Sequence, residues 1–125
     1  MGLRYLFILI FVASCPLTPA IAAQDCKNPQ TQIAMNICSQ EEYEREGIRL
    51  NKNYKELVAK LDASRRTQLK EVQLAWIKFR DLQCKYDASL YEGGSMQPLI
   101  QANCLLYITK QRNKDIKAML DDPLL

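Results

Sequence analysis

The chain has 125 residues, with 17 Lys or Arg, 14 Asp or Glu and no His. That length fits one domain, and the missing His excludes Ser-His-Asp and Cys-His catalysis, His-containing zinc sites and an imidazole pH switch. Only 4 Gly leaves no glycine-rich phosphate loop, while 5 Cys is the one compositional excess.

Residues 1–23 read as a secretory signal peptide. Arg4 supplies the positive region, and the apolar run from Tyr5 to Ala13 is shorter than the roughly 20 residues a bilayer requires. Pro16 and Pro19 break the run, and Ala20-Ile21-Ala22 gives small residues at the cleavage offsets. Val12-Ala13-Ser14-Cys15 also has the layout of a lipoprotein signal, which would tether the protein to a membrane through Cys15. Pro16 directly after that cysteine disfavours this use, so cleavage near Ala22 or Ala23 is expected. The expected product is a single domain, residues 24–125, in the periplasm or secreted medium. Its net charge near +2 is too small for a nucleic-acid binder. It retains Cys26, Cys38, Cys84 and Cys104, an even set that reads as disulfides in an exported chain.

The mature sequence reads as all-α: a small, disulfide-stapled bundle of three main helical stretches. Asn28-Pro29 is the expected start of the first, and Ile33, Ile37, Leu50, Tyr54, Leu57 and Leu61 are its apolar positions. Ser39-Gln40-Glu41-Glu42 could be a capping box, dividing this stretch in two. Glu41, Glu42, Glu44 and Glu46 read as a solvated acidic face.

The second stretch is expected to start at Ser64. Leu69, Val72, Trp76, Phe79, Gln83 and Tyr86 recur at steps of three and four, predicting a core seam with aromatic anchors. Beside it, Arg80 and Asp81 are expected to anchor structure through an ion pair or hydrogen bonds. Tyr91-Glu92-Gly93-Gly94-Ser95 is the strongest turn signal, and Pro98 opens the third stretch, to about Leu120. Ile100, Cys104, Tyr107 or Ile108, Ile116 and Leu120 form its expected inner side, interrupted by Gln111 and Arg112.

A hairpin about Gly94 brings Cys84 level with Cys104, since each lies ten residues from it. Cys26 is then left for Cys38. A four-thiolate metal site or redox pair would call for C-x-x-C spacing, which is absent, so no metal and no cofactor are expected. The same turn, Tyr91 to Ser95, is the first candidate for a binding loop, because its glycines admit close backbone approach. Ser95 and nearby Lys85 could face a partner's carboxylates. No catalytic residue is expected.

Several blocks resemble a known family. Cys26, Thr31-Gln32, Met35-Asn36 and Cys38 resemble its opening signature, and Leu50-Asn51-x-x-Tyr54-x-x-Leu57 its second block. Ala75-Trp76-x-x-Phe79-Arg80-Asp81-x-x-Cys84 and Tyr91-x-Gly93-Gly94-Ser95 resemble its most distinctive blocks, and Cys104, Thr109 and Arg112 its close. The chain thus resembles the LprI-like family of secreted proteins, named for a mycobacterial lysozyme inhibitor. Ile33-Ala34 departs from the pattern, where an acidic residue is usual. The resemblance implies a non-enzymatic, helical, disulfide-bonded binding protein, with a lysozyme as the partner. The alternative is an envelope interaction or stress-related domain that binds another periplasmic protein.

Overall fold

The computed structural model describes residues 25–124. The signal-peptide reading and Cys15 lie outside them. Among the described residues there are three helices and no strand: α1, Gln32–Lys60; α2, Ala63–Ser89; and α3, Gln97–Leu120. None is long and apolar enough to cross a membrane.

Thr31 caps α1, its Oγ1 accepting the Ala34 amide at 3.1 Å. The start lies later than Asn28-Pro29 for a geometric reason. Cys26 is bonded to Cys38, with Cα atoms 5.4 Å apart. A helix from Pro29 would carry Cys38 roughly 14 Å along the axis and away from Cys26. The turns at residues 26–28 instead fold the segment back.

α1 continues through Ser39 without a second start. The capping-box side chains serve helical pairs instead. Gln40 donates to Glu44 at 3.0 Å, and Arg45 lies 3.5 Å from Glu41. Gly47 sits in open space within the helix.

Leu61 ends α1 in extended backbone, and Asp62, rather than Ser64, caps α2 by accepting the Arg65 amide at 2.9 Å. A carboxylate also complements the positive helix N-terminus better than a hydroxyl does. Arg66 donates its Nε to the Leu61 carbonyl at 2.7 Å and secures this joint. So short a connection turns α2 back against the direction of α1.

α3 runs parallel to α1, as the pairs Asn36–Ser95, Glu42–Lys110 and Asn53–Asn113 ascend together. It lies close to both other helices, whereas α1 and α2 approach each other least. α3 therefore buries more than one of its faces. Ala102, Leu106, Thr109, Arg112, Asn113 and Ile116 are buried. Arg112 does not interrupt the inner side but belongs to it, while Tyr107 is 65% exposed.

The two ends of the bundle are held differently. Near the α1–α2 joint, Leu50, Leu57, Leu61, Leu69 and Ile116 form an aliphatic core, flanked by Tyr54, Val58, Trp76 and Leu120. At the other end the buried apolar residues are mostly small, Ala34, Ala88 and Ala102, with Leu106 beside them. There the bridges Cys26–Cys38 and Cys84–Cys104 close the structure. Each is worth on the order of 2–4 kcal/mol.

The aromatic seam expected on α2 is corrected by that second bridge. Cys84 must point at α3, and this fixes the rotation of the helix. At about 100° per residue, Val72, Phe79 and Tyr86 lie roughly 120–160° from Cys84. They are 52%, 57% and 67% exposed. Leu69 is buried and Trp76 half-buried, so only part of the seam is core.

Candidate functional site: the turn between α2 and α3

Leu90 caps the C-terminus of α2, and Met96 precedes α3. The intervening turn is tightly wound. The amides of Tyr91, Glu92, Gly94 and Gln97 donate to the carbonyls of Ala88, Ser89, Tyr91 and Gly94 at 3.0–3.2 Å. The Gly93 amide donates to the Gln97 side chain at 3.2 Å. Gly93 has φ +75°, in the left-handed region that favours glycine. A Cβ on Gly94 would sit 3.2 Å from the Tyr91 carbonyl oxygen. Both glycines serve the winding of the turn, and these five amides are engaged within the turn.

The side chains are what this turn offers a partner. Leu90 is 77% exposed, Tyr91 41% and Met96 42%. Glu92, Gly93, Gly94 and Ser95 are exposed between them, and Lys85 is exposed on α2. Three apolar side chains thus stand in solvent at one tip.

The tip is supported from below on two sides. Asn36, in the first turns of α1, donates its Nδ2 to the Ser95 carbonyl at 3.1 Å. The Cys84–Cys104 bridge ties the two helices that enter and leave the turn. Crosslinked stems limit how far the two ends of the turn can spread.

The remaining residues singled out in the sequence lie elsewhere. Arg80 is largely covered, with its guanidinium 5.0 Å from the Trp76 ring and 5.8 Å from that of Tyr43. Both Nε and Nη2 reach Oδ1 of Asp81, at 2.8 and 2.7 Å. Arg80 therefore spans α2 and α1 as a cation stacked on rings, and Asp81 holds it from the solvent side. Phe79 takes no part in this stack and stands 57% exposed.

The interior holds polar residues that the sequence reading missed. Glu46 does not share the solvated face of Glu41, Glu42 and Glu44; it is 5% exposed. Its side chain accepts from Asn113 at 2.5 Å and from Arg49 at 2.8 Å. Asn113 in turn accepts from Asn53 at 3.1 Å. A signal was present: Glu46, Leu50 and Leu57 are spaced by four and seven, so Glu46 shares the helix face of two buried leucines.

Arg112 is the second such residue. Its Nε donates to Gln73 at 3.0 Å, and its guanidinium lies 5.9 Å from the Trp76 ring. Burial lowers its pKa below the usual arginine value, partly offset by the nearby Asp115. Thr109 and Arg112 are thus interior residues and not part of a binding surface.

These features define a crosslinked three-helix domain that presents an apolar tip and lacks a cluster of potential metal ligands among the described residues. The family model described as lysozyme inhibitor LprI matches residues 23–116. The chain belongs to that family. An uncharacterized protein of Rhizobium meliloti (strain 1021) is 32% identical over 86% of this chain and 88% of its own length. No solved structure matches.

Proposed function

We propose that the chain is an exported binding protein that inhibits a lysozyme by seating the Leu90–Met96 tip in the enzyme's cleft. Residues 1–23 would direct export and be removed, leaving residues 24–125 as one domain. Lysozymes cleave with a pair of carboxylates in a groove. Occupying that groove blocks the reaction and asks no chemistry of the inhibitor.

The observation that carries this reading is the exposure of Leu90, Tyr91 and Met96 on a turn whose stems are crosslinked. Solvent-facing apolar groups gain free energy by burial, at about 25 cal/mol per Å². A projecting tip is also the shape that a concave site accepts. The family description names the enzyme to try first.

The test uses the oxidised, processed chain and lysozymes of several types in a cell-wall lysis assay. Slower lysis is expected, with the effect reduced at least roughly tenfold in Tyr91→Ala. Unchanged lysis at micromolar excess over every lysozyme type would overturn the reading. The mass of the exported protein checks the processing site, the Cys15 lipid alternative and the disulfide state together.

A further inference from the structure

A second surface lies along the α2–α3 flank. It is a groove of about 640 Å³, within the size range of small-ligand sites. Three rings line it: Trp76, Phe79 and Tyr107. Phe79 and Tyr107 are 57% and 65% exposed, and Trp76 is half-buried beneath them in the stack with Arg80 and Arg112. The groove therefore has one fixed ring and two that face solvent.

The polar lining is of one kind. Gln83, Asn103 and Gln111 contribute amides, each able to donate and accept. Asp87 is the single charged residue lining the groove, and no Lys or Arg lines it although the chain has 17 basic residues. Gln83 donates its Nε2 to Asp87 Oδ1 at 2.8 Å, which holds both groups in place.

This lining discriminates among occupants. An anionic ligand would meet the Asp87 carboxylate with no cation in the lining to pair it, since Arg80 and Arg112 stack on Trp76 without lining the groove. An acyl chain or an apolar helix from a second copy would cover the rings. It would also strip water from Asp87 and the amides without replacing their hydrogen bonds, at a cost of about 1–3 kcal/mol for each unpaired group. A neutral oligosaccharide meets both demands. Its C–H faces stack on the rings, and its hydroxyls donate to Asp87 and exchange hydrogen bonds with the amides.

We infer that the Trp76–Phe79–Tyr107 groove is a binding site for a neutral oligosaccharide, separate from the Leu90–Met96 tip. The groove uses the side of the α2–α3 pair and not its end, so binding there can be tested apart from the tip.

Trp76 is the single Trp in the chain and lines the groove, so its emission can be followed as sugar is added. The oxidised protein is titrated with chitotriose, cellotriose and maltotriose. A saturable emission change is expected with at least one, at a Kd of roughly 0.1–1 mM. Tyr107→Ala and Asn103→Ala, both at exposed positions, should each weaken binding about tenfold with an unchanged melting temperature. Three results would overturn the proposal. One is emission unmoved by all three sugars at about 10 mM. Another is a response of the same size and affinity in Tyr107→Ala. The last is an emission change that follows protein concentration or dodecanoate and not sugar, which would assign the groove to a second copy or an acyl chain. Lysis inhibition by the tip is scored separately, so failure of either reading leaves the other standing.

Discussion

Asn113 of α3 donates to both the carboxylate and the backbone carbonyl of Glu46 on α1, at 2.5 and 3.2 Å. Each residue is about 95% buried, so this pair joins the parallel helices with a charge held away from water. Such a charge is tolerated because Asn113 and Arg49 satisfy it. Glu46→Ala is expected to cost about 2–4 kcal/mol, since it leaves the Asn113 amide without its acceptor. Asn113→Ala should cost about 3 kcal/mol, leaving the carboxylate to the exposed Arg49 alone. Glu46→Gln should be milder than either. Urea denaturation of the oxidised protein ranks the three, and a neutral Asn113→Ala would contradict the pairing.

Arg112 behaves differently, because it is a buried cation whose side-chain partner among the described residues is the neutral Gln73 and not a carboxylate. Its folded pKa lies below its free value, so the charged form costs stability wherever both states are protonated. That cost disappears only as pH rises through the arginine range, far above neutrality. Arg112→Met should therefore leave stability unchanged or raise it, by about 1 kcal/mol at most. The difference from the parent should be constant between about pH 5 and 9. Melting curves across that window check both statements.

The correction of the α2 seam makes a contrast between two large apolar residues. Leu57 is 1% exposed and Phe79 57%. Leu57→Ala should cost about 2–5 kcal/mol and Phe79→Ala less than about 1. Equal losses would restore Phe79 to the core.

At the tip, binding and stability should separate. Leu90→Ala and Tyr91→Ala should shift stability by no more than about 0.5 kcal/mol while weakening any partner bound there. Gly93→Ala places a side chain at φ +75° and should cost about 1–2 kcal/mol. Thermal melts alongside the lysis assay distinguish the two kinds of change.

The helices were legible because their apolar residues and Pro98 follow rules that act locally. Their registers were less so. The steps from Leu69 to Tyr86 describe a stripe that exists, but they do not say whether a neighbouring helix covers it. Cys84 decides that, through its bond to Cys104, and turns the Val72, Phe79 and Tyr86 edge of the stripe outward. The turn at Gly93 was readable from its residues, whereas the engagement of its glycine amides became visible only with Gln97 and Tyr91 in place. Glu46 and Arg112 were read as surface or interruption because a single sequence shows their charge and not the Asn113 and Gln73 that receive them.

The division between an aliphatic end and a crosslinked end has a consequence for when the molecule becomes competent. With its thiols reduced, the chain keeps the Leu57–Ile116 core but loses what holds the small-residue end. Cys84→Ser with Cys104→Ser should cost about 3 kcal/mol overall. Amide exchange should locate that loss at residues 84–104, which include the tip. If the tip binds as proposed, oxidation is the arming step: the reduced chain should already be helical, and it should acquire its binding end only where its cysteines can pair.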